Sequence, residues 1–252
     1  MEILGLIPAR YGSTRFPGKP LADIMGKPMI WRVYEQAGKY LRHTWVATDD
    51  ERIKEAIEAL GGNVVMTNAD HLSGTDRCAE ALNKVEAESG IHFDVVINIQ
   101  GDEPFVDHIH LNSLAVCFEN PDTQIATLAK PFGLREDIFN ENKPKVVLNN
   151  NKEALYFSRH PIPFLRDVPR SEWVRKHSYY KHLGLYAYRS DVLKEITKIP
   201  QSFLEKAESL EQNRWLENGY RIQVAITESE SISVDTPGDL ARAVKHYKEE
   251  SN

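Results

Sequence analysis

Through the first half of the chain, continuous apolar runs alternate with segments whose apolar residues recur every three or four positions. That is the pattern of parallel strands joined by crossover helices. Ile3 to Pro8 predicts a first strand buried on both faces. Ile30, Val33, Tyr34 and Ala37 share one face of a predicted helix, and Thr44 to Thr48 predicts the next strand. Ile53, Ala56, Ile57 and Leu60 mark a second helix stopped by Gly61-Gly62, followed by a strand over Asn63 to Thr67. A helix carrying Cys78, Leu82 and Val85 leads to Phe93 to Gln100, the strongest central strand, which ends at Gly101-Asp102-Glu103-Pro104.

After about residue 123 the pattern shifts to short strands near Ile125 to Lys130, Lys145 to Leu148 and Ala154 to Ser158, with Asn149-Asn150-Asn151 as a hairpin turn. Residues 159–181 are rich in Arg, His, Pro and aromatics without periodicity, which suggests a long functional loop or an excursion toward a partner subunit. A strand over His182 to Arg189, two helices, a strand at Ile222 to Thr227 and a helix from about Gly238 complete the reading. The expected fold class is α/β, a doubly wound, mostly parallel sheet with a smaller α+β lobe. One half spans about 1–122, and the lobe, about 123–222, is inserted before the C-terminal strand and helix.

Composition narrows the classes. The 252 residues are 41% hydrophobic and 27% charged, with no apolar stretch near the roughly 18 residues of a membrane span. Met1 is followed by an acid and a strand-like run rather than a basic leader, so the expectation is a cytoplasmic protein without membrane association. A net charge of −6 gives no field for a nucleic-acid backbone. Cys78 and Cys117 are expected to be reduced core thiols.

Against that acidic background stands Ile7-Pro8-Ala9-Arg10-Tyr11-Gly12-Ser13-Thr14-Arg15-Phe16-Pro17-Gly18-Lys19-Pro20. It places three cations, Arg10, Arg15 and Lys19, within ten positions directly after a buried strand. A Walker A loop needs four residues between its glycines and then Lys-Ser/Thr, whereas here five separate Gly12 from Gly18 and Pro20 follows Lys19. The G-x-G-x-x-G spacing of a dinucleotide fold is also absent. A loop that wraps a nucleoside triphosphate remains, with prolines fixing its path, arginine forks matching phosphate oxygens and lysine acting as a mobile charge. A solvated basic turn is the alternative. In an open parallel sheet ligands bind beyond the carboxyl ends of the strands, which points both this loop and that of Asp102 to one crevice.

The opening motif, together with G-G-N-V-V-M-T, A-D-H-L-S-G-T-D-R, N-I-Q-G-D-E-P, A-L-Y-F-S-R, H-L-G-L-Y-A-Y-R, L-E-Q-N-R-W and S-V-D-T-P-G-D-L, resembles the 3-deoxy-manno-octulosonate (Kdo) cytidylyltransferase family from end to end. The resemblance implies a nucleotide-diphospho-sugar transferase type of fold and a Mg²⁺-dependent reaction. The anomeric hydroxyl of Kdo attacks the α-phosphate of CTP, giving CMP-Kdo and pyrophosphate for lipopolysaccharide synthesis. It also implies a homodimer built partly from the later lobe.

Such a transfer depends on neutralising charge and holding in-line geometry. The resemblance assigns Arg10, Arg15, Lys19 and Asp102 to catalysis. It assigns Pro8, Ala9, Gly12, Ser13, Ser73, Gly74, Thr75 and Arg77, with the three cations, to the nucleotide. Gln100, Arg159, His182, Tyr186, Glu211 and Gln212 fall to the sugar acid, and Asp102 and Asp235 to the metal. Taken alone, several have plainer readings: Asp235 as a helix cap, Asp102 as a loop acid, Ser73 or Thr75 as a cap, Tyr186 and His182 as core, and Glu211 and Gln212 as an exposed helix face. His108-x-His110 is expected at the surface, since positions i and i+2 do not share a helix face. Phe16 and the His160 to Leu165 segment depart from the expected pattern, the first as a packing change and the second putting fine sugar specificity in question. The rivals are cytidylyl transfer to another sugar acid such as an 8-amino-Kdo analogue or a sialic acid, uridylyl or thymidylyl transfer to a sugar 1-phosphate, and a nucleotide-binding domain without turnover.

Overall fold

Leu4, Leu6 and Ile7 are fully buried, as a strand covered on both faces requires, and they lie in β1 (Ile3–Ala9). The structure is a computed structural model that describes residues 1–12 and 16–250. The expected roles of Ser13 and Arg15 lie outside the described residues.

The chain divides into two compact units, 1–112 with 231–252, and 113–230. In the first unit β1 is followed by a small ribbon, β2 (Asp23–Ile24) and β3 (Lys27–Pro28), and then by α1 (Met29–Gly38). β4 (His43–Thr48), α2 (Glu51–Glu58), β5 (Val64–Met66), α3 (Gly74–Ser89) and β6 (Val95–Asn98) follow in strict alternation. β6, β1, β4 and β5 lie side by side, every pair parallel. Leu6 aligns with Asn98 and Ala9 with Thr48, so β1, β4 and β6 end at one edge. The loops carrying the opening motif and Asp102 therefore start next to each other. α4 (His108–Cys117) carries the chain onward, with His108 exposed and His110 only 1% exposed. The surface expectation thus fails for His110, because the two residues face different sides of the helix.

The second unit holds β7 (Ile125–Pro131), β8 (Lys145–Leu148) and β9 (Ala154–Ser158), with the asparagine run turning β8 into β9. Residues 159–181 differ from the expected loop. A short helix, α5 (Trp173–Lys176), buries Trp173 against Phe132, Ile138 and Tyr179, so the segment has a small core of its own. β10 (Tyr180–Arg189) pairs antiparallel with β7 and β8. Three short helices rather than two come next, α6 (Ser190–Ile196), α7 (Phe203–Glu208) and α8 (Gln212–Glu217). A capping box at Ser202 and Glu205 starts a separate helix within what periodicity reads as one.

β11 (Ile222–Ile226) runs parallel to β7 and belongs to the second unit, so the boundary falls at 230 rather than 222. Its ladder with β7, from Ile222 opposite Ile125 to Ile226 opposite Ala129, is the reason. α9 (Pro237–Glu250) returns the chain to the first unit, where Val234 and Ala243 pack on Ile24 and Met29, with Phe16 against the same cluster. Phe16 is thus a packing residue, as expected. Cys78 is buried, Cys117 partly so, and neither forms a disulfide. Among the described residues no helix is long and apolar enough to cross a membrane.

Candidate active site

Gly18 and Tyr11 meet across the opening loop. Gly18 takes a left-handed backbone, φ +72°, which a side chain would strain, and its N–H donates to the Tyr11 carbonyl at 3.1 Å. The Arg52 guanidinium lies 3.3 Å from the centre of the Tyr11 ring, tying the loop to the start of α2. Lys19 follows in a single 3₁₀ turn.

Two segments remote in sequence meet Lys19. Its ammonium lies 2.7 Å from Asp102 Oδ2 and 3.4 Å from Asp235 Oδ1. Asp235 reaches Asp102 because its segment is stitched down first: the Val234 N–H donates to the Asp102 carbonyl at 2.9 Å, and Ser231 Oγ donates to Glu103 Oε2 at 2.6 Å. Burial pushes the Glu103 carboxyl up to about 7, against the Ser231 hydrogen bond and with the neighbouring Asp102 adding to the rise. Capping of α9 falls to another pair: Thr236 Oγ1 accepts from the Asp239 N–H at 3.2 Å, and Asp239 Oδ2 accepts from the Thr236 N–H at 2.8 Å. The Asp235 carboxylate instead meets Lys19.

A cavity of about 430 Å³ opens over these groups, lined by Arg10, Gly12, Lys19, Asp102 and Asp235 among others. Its floor includes Gly101, where an added Cβ would come within 2.9 Å of the Pro8 carbonyl oxygen. A second cavity of about 160 Å³ shares Pro8, Ala9, Arg10 and Gln100 with the first and continues to His71, Leu72, Ser73, Gly74 and Arg77. Ser73 caps α3 through a capping box with Asp76 while also lining this cavity, so its two readings coexist. Arg77 is 4% exposed, donates to Thr67 Oγ1 at 2.5 Å and lies 3.4 Å from Asp49. Thr75 is buried and does not line either cavity. Sequence reasoning passes over Pro20, Gly101, His71 and Leu72, although each lies inside or beside a motif quoted above.

In the second unit, His182, Tyr186, Gln212 and Trp215 gather around β10 and α8. β10 slips register between Leu183 and Tyr186, and the Thr127 hydroxyl fills the irregularity, 2.8 Å from the Leu185 carbonyl and 3.1 Å from His182 Nε2. A hydroxyl that donates to a carbonyl must accept from the imidazole, so His182 carries its proton on Nε2 and keeps a lone pair on Nδ1. Burial pushes the His182 ring down to about 3, and the ring stays neutral. Burial likewise pushes the Tyr186 hydroxyl well above its usual value, with Tyr188 and Glu211 adding. Tyr186 and Tyr188 both meet Trp215 edge-on, at 5.2 and 5.6 Å. Gln212 is 5% exposed rather than on an open helix face, because α8 turns it inward beside Asn213 and Trp215. Glu211 pairs with Arg214 at 2.6 Å. The Arg159 guanidinium donates to three main-chain carbonyls, Glu208 at 2.7 Å, Glu141 at 3.0 Å and Ser209 at 3.2 Å, and so braces the end of β9.

The cytidylyltransferase family model matches residues 4–226. A 3-deoxy-manno-octulosonate cytidylyltransferase of Bacteroides thetaiotaomicron is 59% identical over the whole of both chains. One of Phocaeicola vulgatus is 60% identical, covering 99% of this chain and 98% of its own. The chain belongs to the 3-deoxy-manno-octulosonate cytidylyltransferase family. A solved structure of CMP:2-keto-3-deoxy-manno-octonic acid synthetase complexed with CTP superposes with a TM-score of 0.90 at 41% identity, over 99% of this cytidylyltransferase and all of that chain. A glucose-1-phosphate thymidylyltransferase of Bacillus anthracis, at TM-score 0.65 and 18% identity over 98% and 96% of the two chains, shares the fold. The α/β sheet expected from the strand and helix pattern, and the nucleotidyltransferase type of fold that the resemblance implies, are therefore those this family member has.

Among the described residues no cluster of three or more His, Cys, Asp or Glu is arranged to hold a metal. Asp102 and Asp235 do converge on one cation, the Lys19 ammonium, and their hard oxygens suit Mg²⁺ once phosphate oxygens complete the shell.

Proposed function

We propose that this chain transfers the cytidylyl group of CTP to the anomeric hydroxyl of Kdo. The hydroxyl oxygen bonds to the α-phosphorus as the bond to the bridging oxygen of the β-phosphate breaks, and pyrophosphate leaves. The observation that carries the reading is the meeting of Lys19, Asp102 and Asp235 in one cavity with Arg10. In this reading Arg10 and Lys19 place fixed positive charge where negative charge grows on the leaving group. Asp102 and Asp235 hold Mg²⁺, which supplies further neutralisation of the phosphates when bound. The smaller cavity, walled by Ser73, Gly74 and Arg77, receives the nucleoside. His182, Tyr186 and Gln212 serve the sugar acid, with neutral His182 offering the Nδ1 lone pair to a hydroxyl. A cytoplasmic homodimer whose product feeds lipopolysaccharide synthesis is part of the proposal. The named activity of the relatives supports the cytidylyl transfer to Kdo.

The test is pyrophosphate release by the purified protein with CTP, UTP or dTTP and a panel of sugar acids in Mg²⁺. Kdo with CTP is expected to give the highest kcat/KM, and chelation of Mg²⁺ to abolish turnover. Preference for an 8-amino analogue or a sialic acid would move the assignment to that substrate, and binding without turnover would overturn it.

A further inference from the structure

Between Thr67 and Thr75 the chain has no buried residue to anchor it, and Leu72 is 85% exposed. Yet this segment forms a wall of the smaller cavity through His71, Leu72 and Ser73. A loop without apolar burial holds its position only through polar contacts. At its Ser73 end those come from the capping box with Asp76, and at Asn68 and His71 from one carboxylate. Glu80, two turns into α3, accepts the Asn68 N–H on Oε2 at 2.9 Å and makes a short contact with His71 Nε2 through the same oxygen. Lys84, one turn further on, meets Glu80 Oε1 at 2.7 Å and donates to the Met66 carbonyl at 2.8 Å. Glu80 itself lies outside the cavity lining.

We propose that Glu80 is a positioning residue for the nucleotide, acting through His71 on the nucleoside side of the site. This rests on the cytidylyl-transfer reading above. Burial alone would favour the neutral acid, but hydrogen bonds from Lys84, the Asn68 N–H and His71 outweigh it and hold Glu80 at about 2. An ionised carboxylate beside Nε2 requires that nitrogen to donate, which fixes which edge of the His71 ring turns away from α3 toward the cavity. Without the carboxylate, the Asn68 N–H and the imidazole lose their common acceptor, and the cavity wall is free to move while α3 keeps its own cap at Ser73.

The experiment compares wild type with Glu80→Ala, Glu80→Gln, His71→Ala and the Glu80→Ala/His71→Ala double variant, measuring kcat and the KM of each substrate separately. Glu80→Ala is expected to raise the KM for CTP about tenfold, leaving kcat and the KM for the sugar acid within about twofold. Glu80→Gln, which still offers an oxygen to Asn68, is expected to recover most of the loss. The double variant is expected to be no worse than the poorer single variant, because the two residues act as one unit. A general loss of structure would instead depress kcat and raise both KM values together, and that result overturns the proposal. So do additive losses, or an unchanged KM for CTP, in an enzyme whose wild type turns over CTP. A wild type inert toward CTP would reject the cytidylyl-transfer reading and this inference with it. If Glu80→Ala does not fold, Glu80→Gln and His71→Ala carry the comparison.

Discussion

Lys19 sits between two carboxylates that lie 133 positions apart in the chain, and only one of the two announces itself in the sequence. Asp102 follows the strand that the sequence marks most strongly and so had to lie at the sheet edge. Asp235 precedes Thr-Pro, where a helix cap is equally good chemistry, and local sequence cannot separate the roles because both use the same oxygen. The structure separates them by giving the cap to Thr236 and Asp239. Asp235→Asn is therefore expected to leave the melting temperature nearly unchanged while lowering kcat by roughly 10² to 10³, the scale for losing one charge-organising group. Raised Mg²⁺ is expected to restore part of that loss. Kinetics across a Mg²⁺ titration, beside a thermal melt, check this; wild-type kcat at ordinary Mg²⁺ would return Asp235 to a structural role.

Among elements, the alternating β10 shows where legibility stops. Its strand character and its Tyr186 and His182 are plain in the sequence, but a register slip leaves no mark on an apolar–polar pattern, and the Thr127 hydroxyl that fills it comes from another strand. The same holds for residues 159–181, whose core around Trp173 uses Phe132 and Ile138 from earlier in the chain. Burial of neutral His182 has a consequence for stability. Its ring titrates near 3 in the folded protein and ordinarily near 6.5, so the unfolded chain gains a proton that the folded one refuses. Stability is then lost as pH falls from about 6.5 toward 3, at up to about 1.4 kcal/mol per pH unit from this group. Urea unfolding at pH 7, 6, 5 and 4.5 is expected to show a shallower decline in His182→Asn than in wild type. Parallel declines would mean that the ring takes up a proton in the fold.

On the scale of the whole molecule, the first unit is discontinuous, closed only when residues 231–250 return to it. Periodicity could not pair β11 with β7, because that ladder joins residues about a hundred positions apart. Val234 and Ala243, fully buried against Ile24 and Met29, and Tyr247, whose hydroxyl accepts from Arg32 at 2.7 Å, make the returning segment part of the core. A chain ended after Glu230 is expected to lose on the order of 3 kcal/mol or more from the first unit, by loss of that apolar burial, and all measurable turnover. Denaturant midpoints and a pyrophosphate assay check both.

That closure also sets an order of events during synthesis. A ribosome makes Lys19 and Asp102 early and Asp235 more than two hundred peptide bonds after the opening loop begins. On the proposed function, a nascent polypeptide therefore presents its triphosphate loop long before it owns the second acid. Any product released early by stalling or premature termination before that acid carries one carboxylate instead of two. Incomplete copies would then occupy nucleotide at most and consume none, so that catalytic competence itself reports that translation reached the returning segment.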